Sequence, residues 1–184
     1  IPNIEGCTSI SRVGRYEPVK YFFKPMMYLY AISIFFFWIF FSQKLNTKCI
    51  DSKHLNFLSI ITVIFLCLYI TFLGESKIYT FFKKIGIYLY ILSIVLLQFY
   101  TNKLIINNNK KLSKFFKFKL IKINYYLSWI LIIFGLIFLP ILIMKIEKFP
   151  QIKNVISWNY FLILKLYFLI FFFSLKRLVN PTTS

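Results

Sequence analysis

Apolar side chains fill five long blocks of this chain, and each block is separated from the next by a short connector rich in lysine and asparagine. The blocks fall at about residues 22–42, 55–73, 81–100, 124–144 and 155–175. Each is close to the roughly 20 residues an α-helix needs to cross a hydrocarbon core. Water is absent there, so a spanning segment must satisfy its own backbone donors and acceptors. Helices are therefore predicted, even though the abundant Ile, Phe and Tyr favour strands in water. The expected fold class is an all-α polytopic transmembrane helical bundle. Pro25 falls near the predicted start of the first helix, where first-turn N–H groups lack partners anyway. Pro140 is expected to kink the last turn of the fourth. Lys83 and Lys84, in the first turns of the third, are long enough to snorkel to an interface.

The stretch ahead of the first block, IPNIEGCTSISRVGRYEPVKYFFKP, has a different texture. Pro2, Pro18 and Pro25 remove backbone donors, and Gly6 and Gly14 permit turns, so a regular helix is not expected. Residues 1–21 read as a shaped cap at one end of the bundle, residues 22–175 as the bundle, and 176–184 as a tail. The first residue is Ile, which leads us to expect a longer parent chain with a further span upstream.

Composition narrows the class. Hydrophobic residues make up 59% of the 184, yet 23 Lys and Arg against five acids give a formal charge of +18. Apolar spans with basic connectors satisfy both numbers, whereas a soluble nucleic-acid binder does not. Nucleic acid is therefore not an expected partner. One side of the predicted topology holds the cap and the 74–84 and 145–154 turns. The other holds 43–54, 101–123 and the tail, with twelve basic residues against ten and Asp51 as its only acid. The positive-inside bias places that second side in the cytosol and the cap outside or in a lumen. The A/T-rich codons of this residue palette imply a low-GC genome, nuclear or organellar.

Candidate chemistry is sparse. The three cysteines, Cys7, Cys49 and Cys67, lie at different depths and read as unpaired thiols. The single His54 sits at a span end, which argues against haem ligation. No metal-ligand spacing, nucleophile set or phosphate loop occurs, so no catalytic residue, metal or cofactor is expected. Lys165 lies mid-way along the fifth block. A charge at that depth is expensive and is expected to face protein or water. Glu75, Glu147, Tyr69, Tyr90 or another chain are candidate partners. The alternative is a tilted or re-entrant helix with Lys165 near an interface. Between residues 101 and 123, Lys110, Lys111, Lys114, Lys117, Lys119 and Lys122 alternate with aromatic and aliphatic residues. They read either as contacts for anionic lipid headgroups or as a plain topology-setting loop. GxxxG pairs are absent, so bulky helix surfaces are expected to leave grooves for lipid or a partner helix.

The cap and the helix after it, PNIEGCTSISRVGRYEPVKYFFKPMMYLYAIS, resemble the lumenal loop and following helix of the Frag/DRAM/Sfk group of membrane proteins. The matching positions are Ser9, Ile10, Ser11, Gly14 and Pro18. A second stretch, LCLYITFLGESKIYTFFKKIGIYLYILS, is similar to that group's helix, acid-bearing turn (here Glu75) and helix. Cys7-Thr8 stands where the group has a proline, and no histidine follows the turn near Tyr79. The resemblance implies six helices with both termini cytosolic, in the plasma membrane or secretory pathway. It also implies partners among lipid-kinase scaffolds, lipid-handling proteins or transport ATPases. The functional expectation is a non-catalytic accessory subunit bound to a larger integral membrane protein and to membrane lipids. Two alternatives stand beside it. One is a lipid- or GPI-anchor-remodelling factor using Glu75, Ser9 and Ser11. The other, from composition, is an organelle-encoded subunit of a respiratory or ATP-synthase complex of the mitochondrial inner membrane.

Overall fold

The computed structural model describes residues 18–73, 77–143 and 150–175. These residues form six α-helices: α1 (Val19–Asn46), α2 (Lys53–Thr71), α3 (Lys77–Asn107), α4 (Asn109–Leu112), α5 (Phe118–Ile143) and α6 (Pro150–Ser174). Five are long and apolar enough to cross a membrane, over Tyr21–Asn46, Lys53–Thr71, Phe81–Asn107, Phe118–Ile137 and Asn154–Ser174. The fold class is the one predicted from the apolar blocks. Of the cap positions, Ser9, Ile10, Ser11 and Gly14 lie outside the described residues, as does Glu75. Pro18 is exposed in the turn that leads into α1.

The helices differ from the apolar blocks at several ends. Helix α1 begins at Val19, so Pro25 stands inside it rather than in its first turn. There it removes the N–H that would have bonded the Tyr21 carbonyl. Helix α3 continues to Asn107 and α5 begins at Phe118, so most of 101–123 is helix and only the one-turn α4 and its flanks connect them. Polar residues at these ends do not stop the helices, because lysine and asparagine are tolerated in a helix that leaves the hydrocarbon core.

The chain divides into two compact units between Leu97 and Gln98, inside α3. In the first unit α1 and α2 run antiparallel. Ser42 Oγ lies 2.5 Å from Ser52 Oγ at one end, and Tyr28 Oη lies 2.9 Å from Thr71 Oγ1 at the other. The reversal between them is a left-handed helix stop. Ile50 N–H returns 3.3 Å to the Leu45 carbonyl, and Cys49 takes a φ of 54°. Ser52 Oγ donates to Asn46 Oδ1 at 2.7 Å, and Asp51 Oδ1 accepts from Lys53 N–H at 3.1 Å, so the start of α2 is held from both sides. Trp38, Leu66, Ile70 and Ile94 are buried in this unit's interior. Gly86 of α3 lies directly against α2. A β-carbon built there would meet Leu68 Cδ2 at 2.7 Å and Tyr69 N at 2.8 Å. The expectation that bulky helix faces stand apart is corrected at this crossing, where one glycine, without a paired motif, brings two backbones together.

The second unit joins the end of α3 to α5 and α6. Helices α5 and α6 are antiparallel. Lys117 N–H donates to the Ser174 carbonyl at 2.7 Å, Asn124 Nδ2 to the Tyr167 carbonyl at 3.2 Å and Tyr160 Oη to the Leu131 carbonyl at 3.2 Å.

Both units are apolar outside and partly polar inside. Phe22 is 70% exposed and Leu136 68%, while Ser59, Thr62, Gln98, Asn102, Asn124 and Ser128 are fully buried. That reversal suits lipid as the solvent. Serine and threonine hydroxyls turn back to their own helices, as Ser59 does to Asn56 and Thr62 to Leu58, and so carry no unpaired donor into the apolar interior.

Candidate functional site

Four-residue spacing puts Gln98 above Asn102 on α3 and Asn124 above Ser128 on α5, each pair on one helical face. Tyr167 of α6 meets both pairs. Its hydroxyl donates to the Gln98 carbonyl at 3.2 Å or to Asn102 Oδ1 at 3.4 Å. Asn102 Nδ2 donates to Ser128 Oγ at 3.1 Å, and Ser128 Oγ to the Asn124 carbonyl at 3.0 Å. Asn124 Nδ2 then donates to the carbonyl of Tyr167 itself, which closes a circuit through three helices. All five residues are fully buried.

Tyr167 lies seven residues from Ser174, and Gln98 nine from Asn107. At the helical rise these are roughly 10 and 13 Å inside the ends of their spans. Interhelical side-chain bonds in lipid are each worth about 0.6 kcal/mol, so the three that cross helices supply on the order of 2 kcal/mol to this unit. The cluster is neutral. Its chemistry is hydrogen bonding and helix positioning, with no charge to move. Among the described residues, neither amide atom of Gln98 and not the Oδ1 of Asn124 meets a hydrogen-bond partner. Buried amides in this state are where internal water is held. Sequence reasoning missed the cluster. Its only signal was polar residues four apart, Gln98 and Asn102 across the end of the third apolar block and Asn124 and Ser128 inside the fourth.

Lys165 stands on the outward face of α6. Its ammonium lies over the ring of Phe161, 4.9 Å from the centroid. Two of its sequence-predicted partners, Tyr69 and Tyr90, are buried in the first unit, where Tyr90 Oη is 3.5 Å from Tyr30 Oη. Glu75 and Glu147 lie outside the described residues. Every other charge in a span is shallow. The deepest, Lys103 and Lys122, are four residues from Asn107 and Phe118.

Lys110, Lys111, Lys114, Lys117, Lys119 and Lys122 are all exposed. Leu112, Phe116 and Ile121 between them turn inward. Phe116 packs against Phe171 at 6.1 Å between centroids, and the neighbouring Lys117 N–H is tied to α6. The segment is therefore anchored by its apolar residues and presents its cations outward.

His54 is exposed at the start of α2, and among the described residues neither Cys49, which is exposed, nor the half-buried Cys67 forms a disulfide. Cys7 lies outside the described residues. Among the described residues no group of three or more His, Cys, Asp or Glu side chains is placed to hold a metal ion.

Five apolar helices, a lipid-suited exterior and an interior polar circuit define a polytopic α-helical integral membrane protein. No protein-family model, curated protein or solved structure matches the chain.

Proposed function

We propose that this chain is a non-catalytic accessory subunit that docks through its helices on a larger integral membrane protein of the plasma membrane or secretory pathway. The carrying observation is Lys165, an outward-facing cation near the middle of a span. Exposing a cation to lipid at that depth is expensive, which favours a face that protein covers. The interior polar side chains support the same reading. Their bonds run between α3, α5 and α6 and tie the helices of the second unit to one another, so that this unit presents its outer faces in a fixed arrangement. By packing better against one partner conformation than another, such a scaffold biases the partner's equilibrium. The resemblance to the Frag/DRAM/Sfk group agrees with a partner that handles lipids or a transport ATPase. The lysines of 110–122 add a contact with anionic headgroups of the cytosolic leaflet, each worth about 1 kcal/mol near a charged surface.

The test is purification of the chain at native abundance from its own membrane in mild detergent, with mass measured by light scattering. The expected result is a stoichiometric complex with one larger membrane protein. Recovery as a monodisperse monomer refutes the proposal.

A further inference from the structure

We infer that the interior of the second unit is a binding site for water within the membrane, with the Gln98 side chain as its principal ligand. Gln98 is fully buried, and among the described residues neither its Oε1 nor its Nε2 meets a hydrogen-bond partner. Its backbone carbonyl does, accepting from the Tyr167 hydroxyl at 3.2 Å. An amide left so in a membrane interior is costly, because lipid supplies neither donors nor acceptors. Ordered water is what satisfies such groups in native proteins.

The neighbouring atoms give a water molecule further partners. Asn102 lies one turn from Gln98 on α3, and its bond to Ser128 at 3.1 Å fixes it against α5. Tyr167 Oη stands 3.2 Å from the Gln98 carbonyl and 3.4 Å from Asn102 Oδ1, both longer than the roughly 2.7–2.8 Å usual between oxygens. With one proton and two distant acceptors, the hydroxyl keeps lone pairs to which a water beside Gln98 donates, and Asn102 Oδ1 keeps one as well. Together with the Gln98 amide these make up the two to four polar partners that internal water takes.

The surroundings select water over other occupants. Along α5 the polar residues are flanked by buried Ile121 and Leu131, and along α6 Tyr167 is flanked by buried Leu164 and Phe171. Hydrocarbon therefore lies toward both span ends. With Gln98 fully buried, neither a lipid hydroxyl nor a side chain of another protein reaches its amide. The cluster holds no carboxylate, so a cation would carry an unbalanced charge into a medium that penalises it. A small neutral molecule with both donor and acceptor remains, and water is the one that a closed interior admits.

The experiment uses the full chain in bilayers of acyl-deuterated phosphatidylcholine. It carries NMR-active nitrogen in its glutamine and asparagine side chains and NMR-active carbon in its leucine methyls. Water-edited solid-state NMR reads how fast magnetisation passes from water protons to each group. The glutamines are Gln43, Gln98 and Gln151, of which the first and last are exposed. Gln43→Ala and Gln151→Ala therefore assign their own signals and identify Gln98 without touching the core. We expect the Gln98 amide to receive water magnetisation at a rate close to that of the two exposed amides and well above that of the leucine methyls. A rate no faster than the methyls overturns the inference. Gln98→Met keeps the length of the side chain without its donors and acceptor. In that variant, water transfer to the Asn102 amide, assigned by its loss in Asn102→Ala, should fall to the methyl level. Undiminished transfer to Asn102 removes Gln98 as the ligand. A Gln98 signal that shifts saturably when sodium replaces choline in the buffer assigns the site to a cation and overturns the water reading.

Discussion

Two glycines give the packing a test with its own control. At Gly86 an added β-carbon would lie 2.7 Å from Leu68 Cδ2, 2.8 Å from Tyr69 N and 3.0 Å from Tyr69 Cα. The leucine methyl can rotate away, but the Tyr69 backbone is held in the α2 ladder. The two helices must then part by about 0.5 Å, a gap that forfeits about a quarter of each dispersion well along the crossing. Overpacking of this kind costs about 1–3 kcal/mol, and the better helix propensity of alanine returns up to about 1 kcal/mol. Gly86→Ala should therefore lose about 1 kcal/mol net, and Gly86→Val about 3 kcal/mol. At Gly135 the same carbon would meet only Tyr160 Oη at 3.5 Å and Cε2 at 3.8 Å, an ordinary contact. Gly135→Ala should be neutral or gain up to about 1 kcal/mol. The assay is unfolding by sodium dodecyl sulfate in mixed micelles, followed by circular dichroism. Equal stability of the two alanine variants, or a Gly86→Ala protein as stable as wild type, would refute the close crossing.

Three further outcomes follow from single sites. Tyr167→Phe removes the hydroxyl that reaches Gln98 and Asn102, and should cost about 0.5–1.5 kcal/mol in the same titration. A double-mutant cycle with Asn102→Ala should recover part of that cost as coupling, and strict additivity would contradict the circuit. Cys49→Gly relieves a side chain held at φ 54° in an exposed turn and should raise stability by about 1 kcal/mol. A loss instead would mean that the thiol itself is used. Replacing Lys110, Lys111, Lys114 and Lys117 by glutamine should lower the enrichment of phosphatidylserine around the reconstituted protein. The wild-type enrichment should fall with salt, because exposed charges are screened over about 8 Å at physiological ionic strength. Enrichment that ignores both changes would assign these lysines to topology alone.

The number of spans and the all-helical class are legible in the amino-acid order, because lipid demands some twenty apolar residues and an internally bonded backbone wherever the chain crosses. Helix ends were less so. The lysines and asparagines after Gln98 read as a connector, yet α3 carries them on to Asn107, since nothing in those residues breaks a helix. Which faces meet was decided only by the tertiary structure. In water a helix declares its inner face by an apolar stripe. Here Phe, Leu and Ile surround the spans on every side, so the stripe carries no information. The inner faces are chosen by the few residues that lipid rejects or that let backbones approach, namely Gly86 against Tyr69, Asn102 with Ser128, and Asn124 with Tyr167. The depth of Lys165 could be counted along the chain, but its outward direction follows from Tyr167 and Phe171 of the same helix taking the buried side.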